Sequence, residues 1–334
     1  MMDAAALHAG LPVTLDTHVD IPWPAETFQG PRRADPALMR AGGVGGACFA
    51  AYVPQGPRTA EGFAEARARA LAMLASIREL GEAEGNQLAT TAAELRAARE
   101  AGRTAVVPCV ENGYALGEDL GLLAEFRRLG VRYLTLCHNG HNQLCDSSNP
   151  RADLGDGPTL HGGLSGLGRE AVAEMNRLGI LVDVSHASQQ TALQAAQVSR
   201  TPVLATHSCV RALCDVPRNV DDLVLDALRD TQGMVNITGI AGFLKRGGKP
   251  GDVLVSDYVD HVEYVIERCG LAHVGISSDF DGGACFTGWM DESESANLTA
   301  ELVRRGYGAH EIAQIWGGNF LRLLERAEAD AADA

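Results

Sequence analysis

Asp16-Thr17-His18-Val19-Asp20 closes an apolar run that begins at Leu11, and it sets an imidazole and a carboxylate two residues apart on what reads as the first strand. Side chains on a strand alternate with period two, so His18 and Asp20 point the same way and can grip one metal ion. Taken alone, the pair also fits a polar strand end at a surface turn. What gives it weight is that ligand-type residues end later strand-like runs in the same manner.

Those runs are apolar and rich in β-branched residues. They cover 11–18, 45–53, 104–110, 131–137, 180–185, 202–206, 233–238 and 273–277, and segments of helical periodicity separate them. Helices are predicted over 61–80, 90–101, 118–129, 188–198, 221–231, 256–268 (capped by Ser256), 295–305 and 309–327. Another runs through Ala171, Met175 and Leu178, where Gly179 stops it. Strands alternating with helices predict a parallel sheet, and eight such units in 334 residues predict an α/β fold of the (β/α)8 TIM barrel type, as in metal-dependent hydrolases. A single domain over 1–334 is expected, with a frayed acidic, Ala-rich tail at 326–334. The fingerprints that would favour an open sheet, a GxxxxGK[ST] loop or a strand followed by GxGxxG, are missing. Residues 139–165, rich in Asn, Asp, Gly, Pro and Ser, read as a long loop after the fourth strand, at the end of a barrel where long loops serve function.

Composition narrows the class. The chain is 46% hydrophobic, enough to bury a large core, and its net charge of −15 repels phosphate backbones, so nucleic acid is not an expected partner. No basic segment followed by a long apolar stretch opens the chain, and no apolar run approaches the roughly 20 residues of a membrane helix. A cytoplasmic location with no membrane partner is the default expectation. The eight cysteines form no CxxC pair and sit mostly in apolar runs, which reads as reduced core thiols. A homodimer is compatible with the sequence, which fixes no oligomeric state.

With the strands placed, the polar residues at their C-terminal ends can be collected. They are His18 and Asp20 on the first, Glu111 on the third, His138 on the fourth, His186 on the fifth, His207 on the sixth and Asp279 on the eighth. Active sites of TIM barrels lie on that face. The other histidines need no role: His8 and His310 fit exposed positions, His261 lies in a helix, His273 begins a strand, and His141 and His161 belong to the long loop. Three imidazoles with two or three carboxylates can bind two divalent ions, best two Zn2+, with manganese, cobalt or iron as alternatives. Two ions need a bridging anion. The only lysines, Lys245 and Lys249, lie after the seventh strand, so a carbamylated lysine is not at hand and Glu111 is the candidate bridge. Such a pair lowers the pKa of a shared water toward neutrality and makes it a nucleophile.

The chain resembles the membrane (renal) dipeptidases of the amidohydrolase superfamily. The likeness runs through Asp16–Trp23, Tyr133-Leu134-Thr135-Leu136-Cys137-His138-Asn139, Asp183-Val184-Ser185-His186, Thr206-His207-Ser208, Arg218-Asn219-Val220, Ser278-Asp279-Phe280-Asp281-Gly282 and Trp316–Arg322. The resemblance implies a (β/α)8 barrel with a binuclear zinc site: His18, Asp20 and Glu111 on one ion, Glu111, His186 and His207 on the other. It also implies that His138 holds the scissile carbonyl oxygen of a dipeptide substrate, Arg218 pairs its C-terminal carboxylate, and Asp279 shuttles protons, while Asp281 is structural. A C-terminal D-residue is acceptable to many members of the family. The departures are Asn112-Gly113-Tyr114 where the family reads Gly-Gly-His, Ile237-Thr238 for Phe-Tyr, and no Trp after His138; these are expected to alter side-chain preference. The rival readings are another amide, lactone or imine hydrolase of the superfamily, and a non-catalytic, metal-storing scaffold.

Overall fold

A computed structural model describes residues 3–24 and 30–332. Among these, nine parallel strands form one sheet: β1 (Leu15–Asp20), β2 (Gly46–Tyr52), β3 (Asn86–Leu88), β4 (Thr104–Glu111), β5 (Tyr133–Thr135), β6 (Leu181–Asp183), β7 (Val203–Ala205), β8 (Met234–Ile237) and β9 (Val274–Ile276). The order around the barrel is β1-β2-β4-β5-β6-β7-β8-β9. Each of the eight predicted runs holds one of these strands. The short β3 lies off this path, pairing Asn86–Leu88 with Thr104–Val106 at the start of β4, whereas β5 pairs with the end of β4 at Val110 and Glu111. Its three half-buried residues carry no apolar run that periodicity could detect.

The barrel closes between β1 and the segment after β9 without a full ladder. Asp279 N donates to His18 O at 3.0 Å, Asp20 N donates to Phe280 O at 2.9 Å, and Ser278 N donates to the Asp16 carboxylate at 2.9 Å. On its other edge β1 shifts register against β2 between Asp16 and Val19, a bulge that turns the backbone just where His18 emerges. The Asp16 carboxylate accepts the His18 N–H at 3.1 Å and so satisfies the donor at the bulge.

Inside the barrel the side chains form layers. Leu15, Cys48, Val107, Leu181, Leu204 and Met234 make an apolar floor. Above it Thr135 and Thr206 both donate to Asp183 Oδ2, at 2.6 and 2.7 Å, and the metal-type residues of the strand ends lie above that polar layer. All eight cysteines are free, seven of them buried.

The outer helices follow the predicted order, including Ala60–Glu82, Gly166–Leu178 and Asp222–Asp230. Gly179 ends the second of these in the left-handed conformation at φ +67°, as its placement implied. Two details differ. The helix Val255–Cys269 is capped at Leu254, whose N–H donates to Asp257 at 2.7 Å, not at Ser256. The C-terminal helix is Ala309–Ala313, a π-helical turn at Gln314–Gly318, then Asn319–Ala332, because Gly317 crosses so close to Val13 that an added Cβ would sit 2.9 Å from Val13 Cγ1. Of the tail 326–334, the described residues continue the helix to Ala332, with Glu328 accepting from Ala92 N and Glu325 just before it pairing with Arg96, and 333–334 lie outside the described residues. No described helix is long and apolar enough to cross a membrane. His8, expected at the surface, is buried against Trp316 and hydrogen-bonded to Thr299, because the helix Ala4–Ala9 packs on Ala296–Arg304.

Candidate metal centre

The strand-end residues converge. Glu111 lies at the centre: its Oε2 is 3.6 Å from His18 Nε2, and its Oε1 is 3.1 Å from His186 Nε2 and 3.2 Å from His207 Nε2. Asp20 Oδ1 is 3.9 Å from His18 Nε2. Ligand atoms of His18, Glu111 and His207 lie within 4.8 Å of one another, and so do those of Glu111, His138 and His186. Asp20, Glu111, His138, His186, Arg218 and Asp279 face one cavity of about 280 Å3, a size suited to a small molecule.

Hydrogen bonds behind the rings fix their tautomers. Tyr133 spends its phenolic proton on Thr17 O at 3.0 Å and so accepts from His18 Nδ1 at 2.8 Å. Thr206 spends its hydroxyl proton on Asp183 and so accepts from His207 Nδ1 at 2.8 Å. Asn139 Oδ1 faces His186 Nδ1 at 3.3 Å. In all three rings the proton belongs on Nδ1, which leaves three bare Nε2 lone pairs directed at one carboxylate. The Nε2 atoms of His186 and His207 stand only 3.0 Å apart. Lone pairs crowded on a carboxylate repel unless a cation stands among them, and His18 Nε2 and Asp20 Oδ1 are buried with no hydrogen-bond partner. The donor set therefore fits divalent metal.

Titration behaviour carries the same imprint. Burial works against charge on His18, but Glu111, Asp279 and Asp20 outweigh it, so the carboxylates around its Nε2 call for a positive charge there, which a bound cation would supply. Burial, with His18 and Arg218 nearby, drops His207 to about 3, and burial with Arg218 and His138 holds His186 well below its ordinary value. One positive charge is strongly wanted beside Glu111 and further protons are refused. Asp279 sits at φ +68° on the turn after β9, where burial first and Glu111 second push its carboxyl to about 7 against the pull of His18. Gly282, next on that turn, has no room for a side chain: a Cβ would meet Asp279 Oδ1 at 2.3 Å and Asp20 Oδ2 at 2.6 Å.

Arg218 is buried. Its Nη1 donates to Ser208 Oγ at 2.7 Å and its Nη2 to His207 O at 2.8 Å, its Nε has no partner, and among the described residues it forms no ion pair with a carboxylate. Asp281, in contrast, pairs with Arg32 at 2.6 Å and accepts from Arg33 N at 2.8 Å, a structural role as expected.

A model of the membrane dipeptidase family, peptidase family M19, matches residues 1–334. The chain belongs to this family. The dipeptidase verJ of Clonostachys rogersoniana is 34% identical over 299 residues, 87% of this chain and 74% of its own length; other curated dipeptidases align over about half of theirs, 53% and 52%. Among solved structures, the probable dipeptidase PvdM from Pseudomonas aeruginosa has a TM-score of 0.91 at 29% identity, covering 98% of each chain. A metallo peptidase from Rhodobacter sphaeroides, liganded with a phosphinate mimic of L-Ala-D-Ala, has a TM-score of 0.84 at 27% identity, covering 95% of this chain and 99% of its own. The chain is thus a hydrolase of a metallopeptidase family on a barrel of that family's shape.

Some neighbours of the centre are not apparent from sequence. Tyr52, at the end of β2, lines the cavity with its ring centroid 4.8 Å from that of His138 in an edge-on contact, and the His186 ring centroid lies 4.1 Å from that of His138. His138 is held by these ring contacts, with no side-chain hydrogen bond among the described residues. A signal was present in the apolar run 45–53, which has an aromatic, Tyr52, next to its end. Tyr114 and Thr238, expected to shape substrate preference, face elsewhere: the Tyr114 hydroxyl donates to Pro57 O at 2.6 Å beside Phe63, and Thr238 donates to Ser278 O at 3.2 Å. Neither lines the cavity. If His138 holds the substrate carbonyl as expected, Tyr52→Ala should lower kcat for dipeptide hydrolysis about 10- to 100-fold with KM within about twofold, since a ring misplaced by an ångström costs that much. Tyr52→Phe should restore the rate. Steady-state kinetics on both variants, with metal content checked, decide it; an unchanged kcat in Tyr52→Ala would show that Tyr52 does not hold His138.

Proposed function

We propose that this protein is a zinc dipeptidase that hydrolyses dipeptides with a free C-terminal carboxylate, including those ending in a D-residue. Supporting the last point, the Rhodobacter relative binds a mimic of L-Ala-D-Ala. His18, Asp20 and Glu111 would hold one Zn2+ and Glu111, His186 and His207 a second, an imidazole and carboxylate set suited to zinc. When bound, the ions supply a water activated for attack at neutral pH.

The chain's own residues do the rest. Arg218, which lines the cavity, offers its remaining N–H groups to the substrate carboxylate and fixes the peptide's register there. His138 kept neutral by burial can donate to the carbonyl oxygen as negative charge grows there. Asp279, poised near neutrality, takes the proton of the attacking water and returns it to the departing amine. The observation that carries the reading is Arg218: a buried guanidinium without a carboxylate partner, opening on the same cavity as Glu111 and Asp279.

Amidated dipeptides leave that guanidinium unpaired, which costs about 2–5 kcal/mol of recognition, so they should turn over far more slowly than free dipeptides. Arg218→Met should erase most of the difference with both metals retained. Equal rates on free and amidated dipeptides, or faster turnover of lactones or imines lacking a carboxylate, would replace this reading with another hydrolase chemistry on the same barrel.

A further inference from the structure

Resting on the dipeptidase reading, the geometry points to a specificity element the sequence did not disclose: Ile240 and Phe243, on and beside the short helix Ala241–Leu244 after β8, form the wall that receives the side chain of the substrate's C-terminal residue, and we infer that this residue is apolar. Both line the cavity, and both are half-buried with apolar surface open to it. They are the apolar side chains of a cavity otherwise bounded by ligand-type, polar and charged groups. The Phe243 ring centroid lies 5.7 Å from Arg218 Cζ.

That distance decides which substrate side chain meets the wall. A carboxylate paired to Arg218 sits one bond from the Cα of the C-terminal residue, so the side chain on that carbon must lie within a few ångströms of the guanidinium, which is where Phe243 stands, with Ile240 lining the same cavity. On this assignment the amino-terminal half of the peptide meets the rest of the lining, Asp20, Tyr52 and Asn139 among it. A lysine or arginine at the C-terminal position would bring a second cation beside Arg218 and against an apolar surface, losing hydration without a partner. An aspartate or glutamate there gains no second fork, since Arg218 already gives one N–H to Ser208 and one to His207 O. Neither Tyr114 nor Thr238 lines the cavity this wall bounds, so preference is assigned to Ile240 and Phe243 instead.

The test is a set of glycyl dipeptides, Gly-Ala, Gly-Leu, Gly-Asp and Gly-Lys, with the mirrored set Ala-Gly, Leu-Gly, Asp-Gly and Lys-Gly. Expected kcat/KM values favour Gly-Leu over Gly-Asp and Gly-Lys by about 10- to 200-fold, the range an apolar pocket can deliver, with a several-fold narrower spread across the mirrored set. Phe243→Ala should lower kcat/KM for Gly-Leu about tenfold while changing Gly-Ala little, and Phe243→Leu should restore most of it. Ile240→Glu should raise Gly-Lys relative to Gly-Leu, a gain that misfolding cannot mimic. Discrimination that resides in the mirrored set, or a Gly-Leu to Gly-Lys ratio unchanged in both Phe243→Ala and Ile240→Glu, overturns the assignment while leaving the dipeptidase reading standing. If no member of either set is hydrolysed by the zinc-loaded protein, the dipeptidase reading falls and the assignment falls with it.

Discussion

A Glu111→Ala chain is expected to carry one divalent ion or fewer where the native chain is expected to carry two, and to lose about four orders of magnitude or more in kcat. The expectation follows from position. One oxygen of Glu111 faces His18 and the other faces both His186 and His207, so no other carboxylate of the cluster reaches all three rings. Removing it also leaves three bare ring nitrogens crowded together with nothing to reconcile them, and the folded state should become less stable as well as inactive. Metal analysis of dialysed native and variant protein, alongside thermal unfolding, tests the point. Native protein that is fully active with a single ion per chain would remove Glu111 from a bridging role.

Asp279→Asn should separate chemistry from metal binding. The amide has the shape of the carboxylate and cannot carry the proton, so kcat should fall by roughly two to four orders of magnitude while metal content stays native. Burial and the neighbouring Glu111 raise the native carboxyl above the ordinary carboxylate range against the pull of His18. Because Asp279 N also donates to His18 O, the backbone that holds the side chain is independent of the substitution. An Asp279→Asn enzyme of near-native rate would assign proton transfer to another group.

The barrel was legible because a parallel sheet covered on both faces is built from continuous apolar runs, and all eight runs proved to hold strands. The metal-type residues were legible for a related reason: they terminate those runs, and run ends coincide with the barrel mouth. What stayed hidden depends on long-range packing. The three residues Asn86–Leu88 become a strand only because the lower edge of β4 lies open beside them. His8 is buried only because Trp316 and Thr299, some three hundred residues later, come to lie over it. Tyr133, which fixes the His18 tautomer from below, looks like any aromatic in an apolar strand. Ile240 and Phe243 reach the cavity through the path of a loop, which no periodicity encodes, and the same is true of Tyr114 turning away toward Pro57.

The seam of the barrel has a consequence for how the protein comes into being. A ribosome delivers residues 15–20 early and residues 274–282 late, and domains organise as units in that order. Until the last segment arrives, β1 has an unpaired edge, Asp16 lacks the Ser278 amide, and the turn carrying Asp279 is nowhere near His18. The ligand-type side chains all lie at or before His207 in the chain, so a nascent polypeptide can gather them without the proton carrier. If Asp279 carries the proton as proposed, catalytic competence is expected only of the closed ring, reached when its first strand and its last meet.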